Sequence, residues 1–406
     1  MGQGLLRFSL LAALAAPLAA EEANLSDGYR DVFGAMAAAQ KEADAVVGKA
    51  ATDPWPSDAK VLEEALESNG AALSKFDALP DLGRCHFTEG VHMAPWTDLS
   101  HLAQARKLAR LVALRARRDI AQGRPTDAVG ACLKLLALAQ GCANDRVLIS
   151  RLVETSITRL TCRCLRDALA AAPADPKMLA RVLDRVMALR ETRREAADAF
   201  RAEEATTLDM LDRFFLGDLA SLSKEELSPE LAPLVEEMGQ LDMETRRSLH
   251  GEARKEATGL FAAMQEGSRP GRLGGLAEID VRTEGFGAPA ESLPHRFLAF
   301  LCPQLGATVF SLACADAELS AMSIRAALLA FRAEKGAFPE SLDALAPAHL
   351  PAVPDDPYDG KPFRYARGDV ECIFWVVSND LQDDGGKAYP EAEDPKPGTD
   401  LVWTVR

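Results

Sequence analysis

Positive charge is scarce in this sequence of 406 residues: 46 lysines and arginines face 61 aspartates and glutamates, a formal net charge of −15. A nucleic-acid partner needs cationic faces that neutralise phosphates and release counterions. No long basic block supplies one, so no nucleic acid is expected among the partners. Catalytic signatures are missing too. There is no phosphate-cradling G-x-x-x-x-G-K-[ST], no dinucleotide fingerprint, no G-x-S-x-G elbow and no H-E-x-x-H frame. "GRLGG" at 271–275 is only a flexible loop. Apolar runs fall short of a bilayer as well. The first, at residues 8–18, is too brief for a span. The second, "FLAFLCPQLGATVFSLACA" at 297–315, carries no formal charge, but Pro303, Gln304, Gly306, Thr308 and Ser311 lower its hydropathy. It is expected to be a buried core helix, and membrane association is not favoured.

The amino terminus is informative. "MGQGLLRFSLLAALAAPLAAEE" has one cation, Arg7, then the apolar core, the small residues Ala19 and Ala20, and acids. That order predicts a cleavable export signal over 1–20 and a periplasmic or extracellular location, with an uncleaved membrane anchor as the alternative. No cysteine follows the apolar core, which argues against a lipoprotein. Export allows pairing among the eight cysteines, Cys85, Cys132, Cys142, Cys162, Cys164, Cys302, Cys314 and Cys372. Most sit in predicted helices, where a free thiol behaves as a small buried hydrophobe. Cys162 and Cys164, two apart on a helix, point in diverging directions and do not suit each other as disulfide partners.

From 21 to 264 the apolar positions recur with a period of 3.6, predicting an all-helical domain of about seven to nine helices. Asp175-Pro176 and Ser228-Pro229 each place a capping side chain before a proline at the first helical position, and 223–226 "SKEE" fits a capping box. "LVALRARRDIAQGRPTDAVGACLKLLALAQG" at 111–141 reads as a helical hairpin around Gly123-Arg124-Pro125. It is similar to one tetratricopeptide unit, but no second copy follows at the required period, so a bundle hairpin is expected. Residues 265–294, dense in glycine and proline, predict a linker. Residues 295–406 then change character. An amphipathic helix at 316–335, with Leu319, Met322, Ile324, Leu328 and Phe331 among its apolar positions, precedes turn-rich stretches and three short strands, "FRYAR", "CIFWVVS" and "LVWTVR". The expected fold class is mainly α: an amino-terminal all-helical domain followed by a small α+β domain, a long helix packed on a three-stranded antiparallel sheet.

The tail, "ALLAFRAEKGAFPESLDAL...LPAVPDDPYDGKPFRYARGD...FWVVSNDLQDDGG...TDLVW", resembles the carboxy-terminal domain of the type II secretion major pseudopilin. The resemblance covers about 316–406, and its best motifs are Gly336-Ala337-Phe338-Pro339 and Pro354-Asp355-Asp356-Pro357-Tyr358. It implies a pseudopilin-like module. The chain lacks the family's basic leader, its Gly-Phe-Thr-Leu-x-Glu motif and the continuous apolar helix at its start, so no pilus-like polymer is expected. Upstream, "RCHFTEGVHMAPWTDLSHLAQARKLARLVALRARRDIAQG" is similar to exported bacterial proteins that join a helical domain to such a tail, a likeness that implies architecture alone.

In pseudopilins the loop after the second strand binds calcium through strand-end carbonyls and aspartates. The resemblance places Asp380 at the first aspartate, a candidate carbonyl at Val377, and Asp400 at the aspartate opening the last strand. Asp383 and Asp384 are further candidate ligands. Ca²⁺ takes six to eight hard oxygens in a forgiving geometry, and Gly385-Gly386 lets the backbone fold tightly around it. Leu381 stands where glycine is common in the family. An EF-hand fits less well: Asp380, Asp384, Gly385 and Glu391 match positions one, five, six and twelve, but Gln382 stands at three, Pro390 interrupts, and a strand rather than a helix precedes the loop.

Rival sites lie upstream. Cys85, His86, His92 and His101 include zinc-ligand types, yet their spacing fits no compact zinc module, and loop polarity and capping account for them. Arg151, Arg159, Arg163 and Arg166 share one predicted helix and are candidates to grip an anion, although a solvated face paired to acids is the commoner pattern. "DMLDRFFLG" at 209–217 reads as core rather than pocket. The expectation is an exported, non-catalytic scaffold with protein partners in the cell envelope and a pseudopilin-like, calcium-stabilised tail. The alternative is an envelope enzyme with a metal or polar pocket in the helical domain.

Overall fold

A computed structural model of the chain describes residues 24–37, 41–56, 58–80, 85–89, 98–145, 147–193, 196–217, 219, 231–269, 271, 273, 292–301, 305–388 and 398–406. The protein is mainly helical, with thirteen α-helices and one three-stranded antiparallel sheet among the described residues. The expected export signal lies outside them, as do the expected caps at 223–230 and most of the expected linker.

Four short helices come first: α1 (Ser26–Ala35), α2 (Lys41–Ala50), α3 (Lys60–Ser68) and α4 (Gly70–Ala78). They cover one side of a central hairpin, α5 (Ser100–Ala121) and α6 (Pro125–Ala143). In α5 the buried residues Leu102, Ala105, Leu108, Ala109, Val112 and Ala116 follow the helical spacing that puts one face inward. Gly123, at φ +76°, makes the left-handed turn that Gly alone adopts cheaply, and Pro125 opens α6 where its missing donor is harmless. This is the helical hairpin the sequence predicts.

Helix α7 (Leu148–Ala171) packs against α5 and α6 and is buried for most of its length. It is followed by α8 (Pro176–Arg193), α9 (Ala196–Leu216), α10 (Ala232–Gly239) and α11 (Met243–Gly267). The Asp175 carboxylate accepts the Met178 N–H at 2.9 Å, the cap expected before Pro176. Asp242 caps α11 in the same way, accepting the Thr245 N–H at 2.8 Å. The buried guanidinium of Arg246 donates to the Phe214 and Gly217 carbonyls, closing the end of α9. Leu211, Phe214 and Phe215 within 209–217 are buried.

The apolar stretch 297–315 is not one helix. It divides between α12 (Leu293–Leu301) and α13 (Leu305–Lys335), with Pro303, which neither donates nor tolerates the preceding turn, in the sequence between them. No helix among the described residues is long and apolar enough to cross a membrane.

At 31 residues, α13 spans roughly 46 Å. Its sides meet α7 and α8 of the bundle and strand β3 of the tail. Leu319, Met322, Ile324 and Leu328 are fully buried, and Phe331 packs edge-on against His349. The short helix expected after "GAFPES" is a single 3₁₀ turn, Leu342–Leu345. The sheet is a meander of β1 (Arg364–Arg367), β2 (Cys372–Val376) and β3 (Leu401–Val405), with Phe374 opposite Trp403 and Val376 opposite Leu401. Cys372, Phe374, Val376, Leu401, Trp403 and Val405 form its buried face, while Ile373, Trp375 and Val402 alternate outward. Buried apolar residues from Tyr29 to Val405 form one contiguous cluster, so α13 carries the bundle core into the tail. Seven of the cysteines are described, and all seven are buried free thiols; Cys302 lies outside the described residues.

Candidate functional site

The acidic loop begins where β2 ends. Because Val376 pairs with Leu401, the register sets Val377 opposite Asp400 at the mouth of the β2–β3 pair. Asp400 is fully buried, and one of its oxygens accepts the Gly386 N–H at 2.8 Å. Its own N–H donates to the Lys387 carbonyl at 2.8 Å, and Ala388 bridges to it in parallel register. The glycine turn is thus tied to the start of β3 by side chain and backbone together. Gly385 and Gly386 take φ +72° and +79°, and a Cβ on Gly386 would stand 3.3 Å from the Trp375 ring. Leu381 adopts φ +59°, the left-handed geometry that makes glycine the usual choice there.

The other predicted ligands are placed as follows. Asp380 accepts the Gln382 N–H at 3.1 Å and reaches across the loop to the Gly398 N–H at 2.7 Å. Asp383 accepts the Trp375 indole N–H at 3.0 Å, the Gly385 N–H at 3.1 Å and the Arg364 Nε at 3.2 Å. The Trp375 hydrogen bond holds its carboxyl below the usual range. Asp384 donates its N–H to the Asp400 carboxylate, yet its own buried Oδ2 has no hydrogen-bond partner. The Oδ1 of Asp400 and the Oγ of Ser378 are orphaned in the same way. Burial raises the Asp400 carboxyl, and the neighbouring charges of Asp383 and Asp384 add to the rise, outweighing its two N–H donors.

Two buried carboxylate oxygens without donors beside a like charge are the chemistry a hard cation relieves. Among the candidate ligands of the loop, Asp384 and Asp400 are the two that keep a buried oxygen without a donor. Asp380 and Asp383 are already engaged by backbone and side-chain donors. Among the described residues, no three loop carboxylates offer oxygens within 4.8 Å of one another. No family model, curated protein or solved structure matches this chain. Functional assignment therefore rests on the chemistry of the site.

Sequence reasoning missed the centre of the electrostatics. Asp356 is fully buried and accepts the Tyr358 N–H at 2.8 Å and the Val377 N–H at 2.9 Å, as well as Arg364 Nη1. Arg364 also pairs with Asp359 and Asp383, so one guanidinium joins three carboxylates. Burial still dominates at Asp356 and pushes its carboxyl up to about 6. The bond from Asp356 to the N–H two residues on is legible in "DPY" as an Asx turn. Its reach to β2 is a tertiary contact that no local spacing encodes.

Among the described residues, the members of the upstream zinc candidate do not come together. Burial, with Asp145 second, pushes the Cys85 thiol up to about 12, and a Cβ on Gly141 would fall 2.4 Å from its sulfur. His101 Nε2 lies 2.7 Å from buried Asp145, which also accepts the Thr88 hydroxyl, and its ring stacks on Phe87. His92 lies outside the described residues. The ligand atoms of Cys85, His86 and His101 do not gather within 4.8 Å. One group among the described residues does: Glu252 and Glu256, one turn apart on α11, and His295 at the start of α12. His295 Nε2 lies 3.0 Å from Glu256, and its Nδ1 lies 2.6 Å from the Ser292 hydroxyl. The i, i+4 glutamates are visible in the sequence, but the histidine meets them only through the packing of α12 on α11. Of the arginines expected on one helix face, Arg151 is buried and Arg166 pairs with Asp167, so α7 is not a simple solvated face.

Proposed function

We propose that this protein is an exported, non-catalytic scaffold of the cell envelope whose pseudopilin-like tail is fastened by calcium. The observation that carries the calcium reading is the pair of orphaned buried oxygens, Asp384 Oδ2 and Asp400 Oδ1, at a glycine turn tied to β3. Bound there, Ca²⁺ would neutralise two crowded carboxylates and lock the 377–400 loop to the sheet. Export is supported by the amino-terminal pattern of cation, apolar core, small residues and acids. The scaffold role is supported by the absence of known catalytic motifs and by the long α13, which joins bundle and tail on a single element. Calorimetric titration of the full chain with Ca²⁺ tests the site: one binding event that Asp400→Asn abolishes supports it, and no heat in the wild-type chain rejects it.

A second reading, a metal-dependent envelope enzyme, is favoured by one observation, the convergence of Glu252, Glu256 and His295. Three ligands with an open position are the pattern of a catalytic zinc site. Stoichiometric Zn²⁺ after purification without nickel resin, lost in Glu256→Gln, would support that reading. A metal-free wild-type chain that also fails to take up added Zn²⁺ would remove it.

A further inference from the structure

A concentration of positive charge that the calcium reading does not use lies where the bundle meets the tail. A cleft of about 650 Å³ is bounded by the last turns of α7, by α13 and by β3 at the edge of the sheet. Four arginines line it, Arg166 from α7, Arg325 and Arg332 from α13, and Arg406 after β3, against one lining acid, Asp167, while Arg406 is paired with Glu371 at 2.8 Å outside the lining. In a chain with a net charge of −15 this is a local reversal of sign. The single acid is already engaged: Asp167 accepts hydrogen bonds from Arg166 and Arg117. Burial would raise its carboxyl, but these two guanidiniums outweigh burial and hold it below the usual range.

Arg325 is the decisive residue. It is 4% exposed and lines the cleft. Its Nη2 donates to the Thr404 carbonyl, its Nε has no partner, and it forms no ion pair with a carboxylate among the described residues. The carboxylates of Asp167 and Glu318 act on it only from beyond ion-pair distance, and a buried charge so weakly countered is costly unless something supplies more negative charge. Burial, with Arg166 second, pulls the Arg325 guanidinium down to about 10, so it remains charged at neutral pH and repels its neighbour. Arg332, half-buried at the rim, lies over the Phe338 ring at 4.8 Å, which fixes its position without neutralising it. The remaining walls are apolar, among them Leu169, Leu329, Val402 and Trp403.

We propose that this cleft binds a small amphiphilic anion, its oxyanion head held by Arg325 and Arg332 and its apolar body lying against Leu329 and Trp403. The head is a carboxylate or a phosphate monoester, both of which suit the planar donors of arginine. The volume falls in the range of small-molecule sites. The site lies apart from the calcium loop and does not depend on it.

Titration calorimetry of the full chain with octanoate, octyl phosphate and inorganic phosphate tests the proposal. At least one amphiphile binds at a single site, at least tenfold tighter than inorganic phosphate, and the preferred amphiphile identifies the head group. Arg325→Met and Arg332→Gln each weaken that binding at least tenfold. Because Arg325→Met also removes the donor to Thr404, Arg332→Gln at the rim gives an independent readout should the first variant not fold. Failure of both amphiphiles to bind, equal binding of inorganic phosphate, or binding indifferent to Arg332→Gln would overturn it.

Discussion

At the scale of single residues, the tail is governed by carboxylates whose environments push them in opposite directions. Asp356 is raised to about 6 by burial despite its contact with Arg364. The folded protein therefore keeps this proton to higher pH than the unfolded chain, whose aspartates titrate near about 3.9. Stability from this group is fully present below about pH 4 and is lost as pH rises through about 6. Urea midpoints measured from pH 4 to pH 7 should fall across that window more steeply in the wild-type chain than in Asp356→Asn, which cannot ionise. Equal slopes would contradict the assignment. Asp383 behaves in the opposite sense: its lowered carboxyl contributes stability above the unfolded value and loses it as pH falls. In Gly386→Ala the new methyl group meets the Trp375 ring in a left-handed conformation, so a loss of about 1–2 kcal/mol is expected in chemical denaturation. Asp400→Asn relieves like-charge crowding, so the metal-free protein should melt no lower than wild type.

At the scale of elements, caps and periodicity act locally and can be read from sequence. Asp175→Ala removes the N–H acceptor at the start of α8 and should cost about 1 kcal/mol in urea unfolding, an effect that Asp175→Ser largely restores. The same local logic foretold the α5–α6 hairpin, the amphipathic α13 and all three strands, because helical and alternating apolar patterns each belong to one segment. It failed where one helix divides from the next. The stretch 297–315 carries no formal charge and so reads as one buried helix, but α12 and α13 are separate elements, because absence of charge says less about helix continuity than a proline such as Pro303 does. The acidic loop was legible as a position and as a set of candidate ligands. Which oxygens are satisfied was not, because Gly398, Trp375 and Arg364 reach them only in the folded tail.

At the scale of the whole molecule, one contiguous apolar cluster runs from the first helix to the last strand, with α13 as the shared element. Both candidate ligand sites of the tail adjoin its sheet. The arginine cleft borders β3 and α13, and the carboxylate loop closes the other end of the β2–β3 pair. Charge reversal between them, basic at the cleft and acidic at the loop, keeps their chemistries separate. A cation bound at the proposed site in the folded state alone would stabilise it by mass action, so under the calcium proposal the melting temperature should climb with calcium concentration. The direct test is therefore a thermal melt of the full chain across a Ca²⁺ series, beside Asp400→Asn and with Mg²⁺ as control. The account predicts a rise with Ca²⁺ that Mg²⁺ does not reproduce and the variant lacks; an unchanged wild-type melt, or an identical rise in Asp400→Asn, would contradict it.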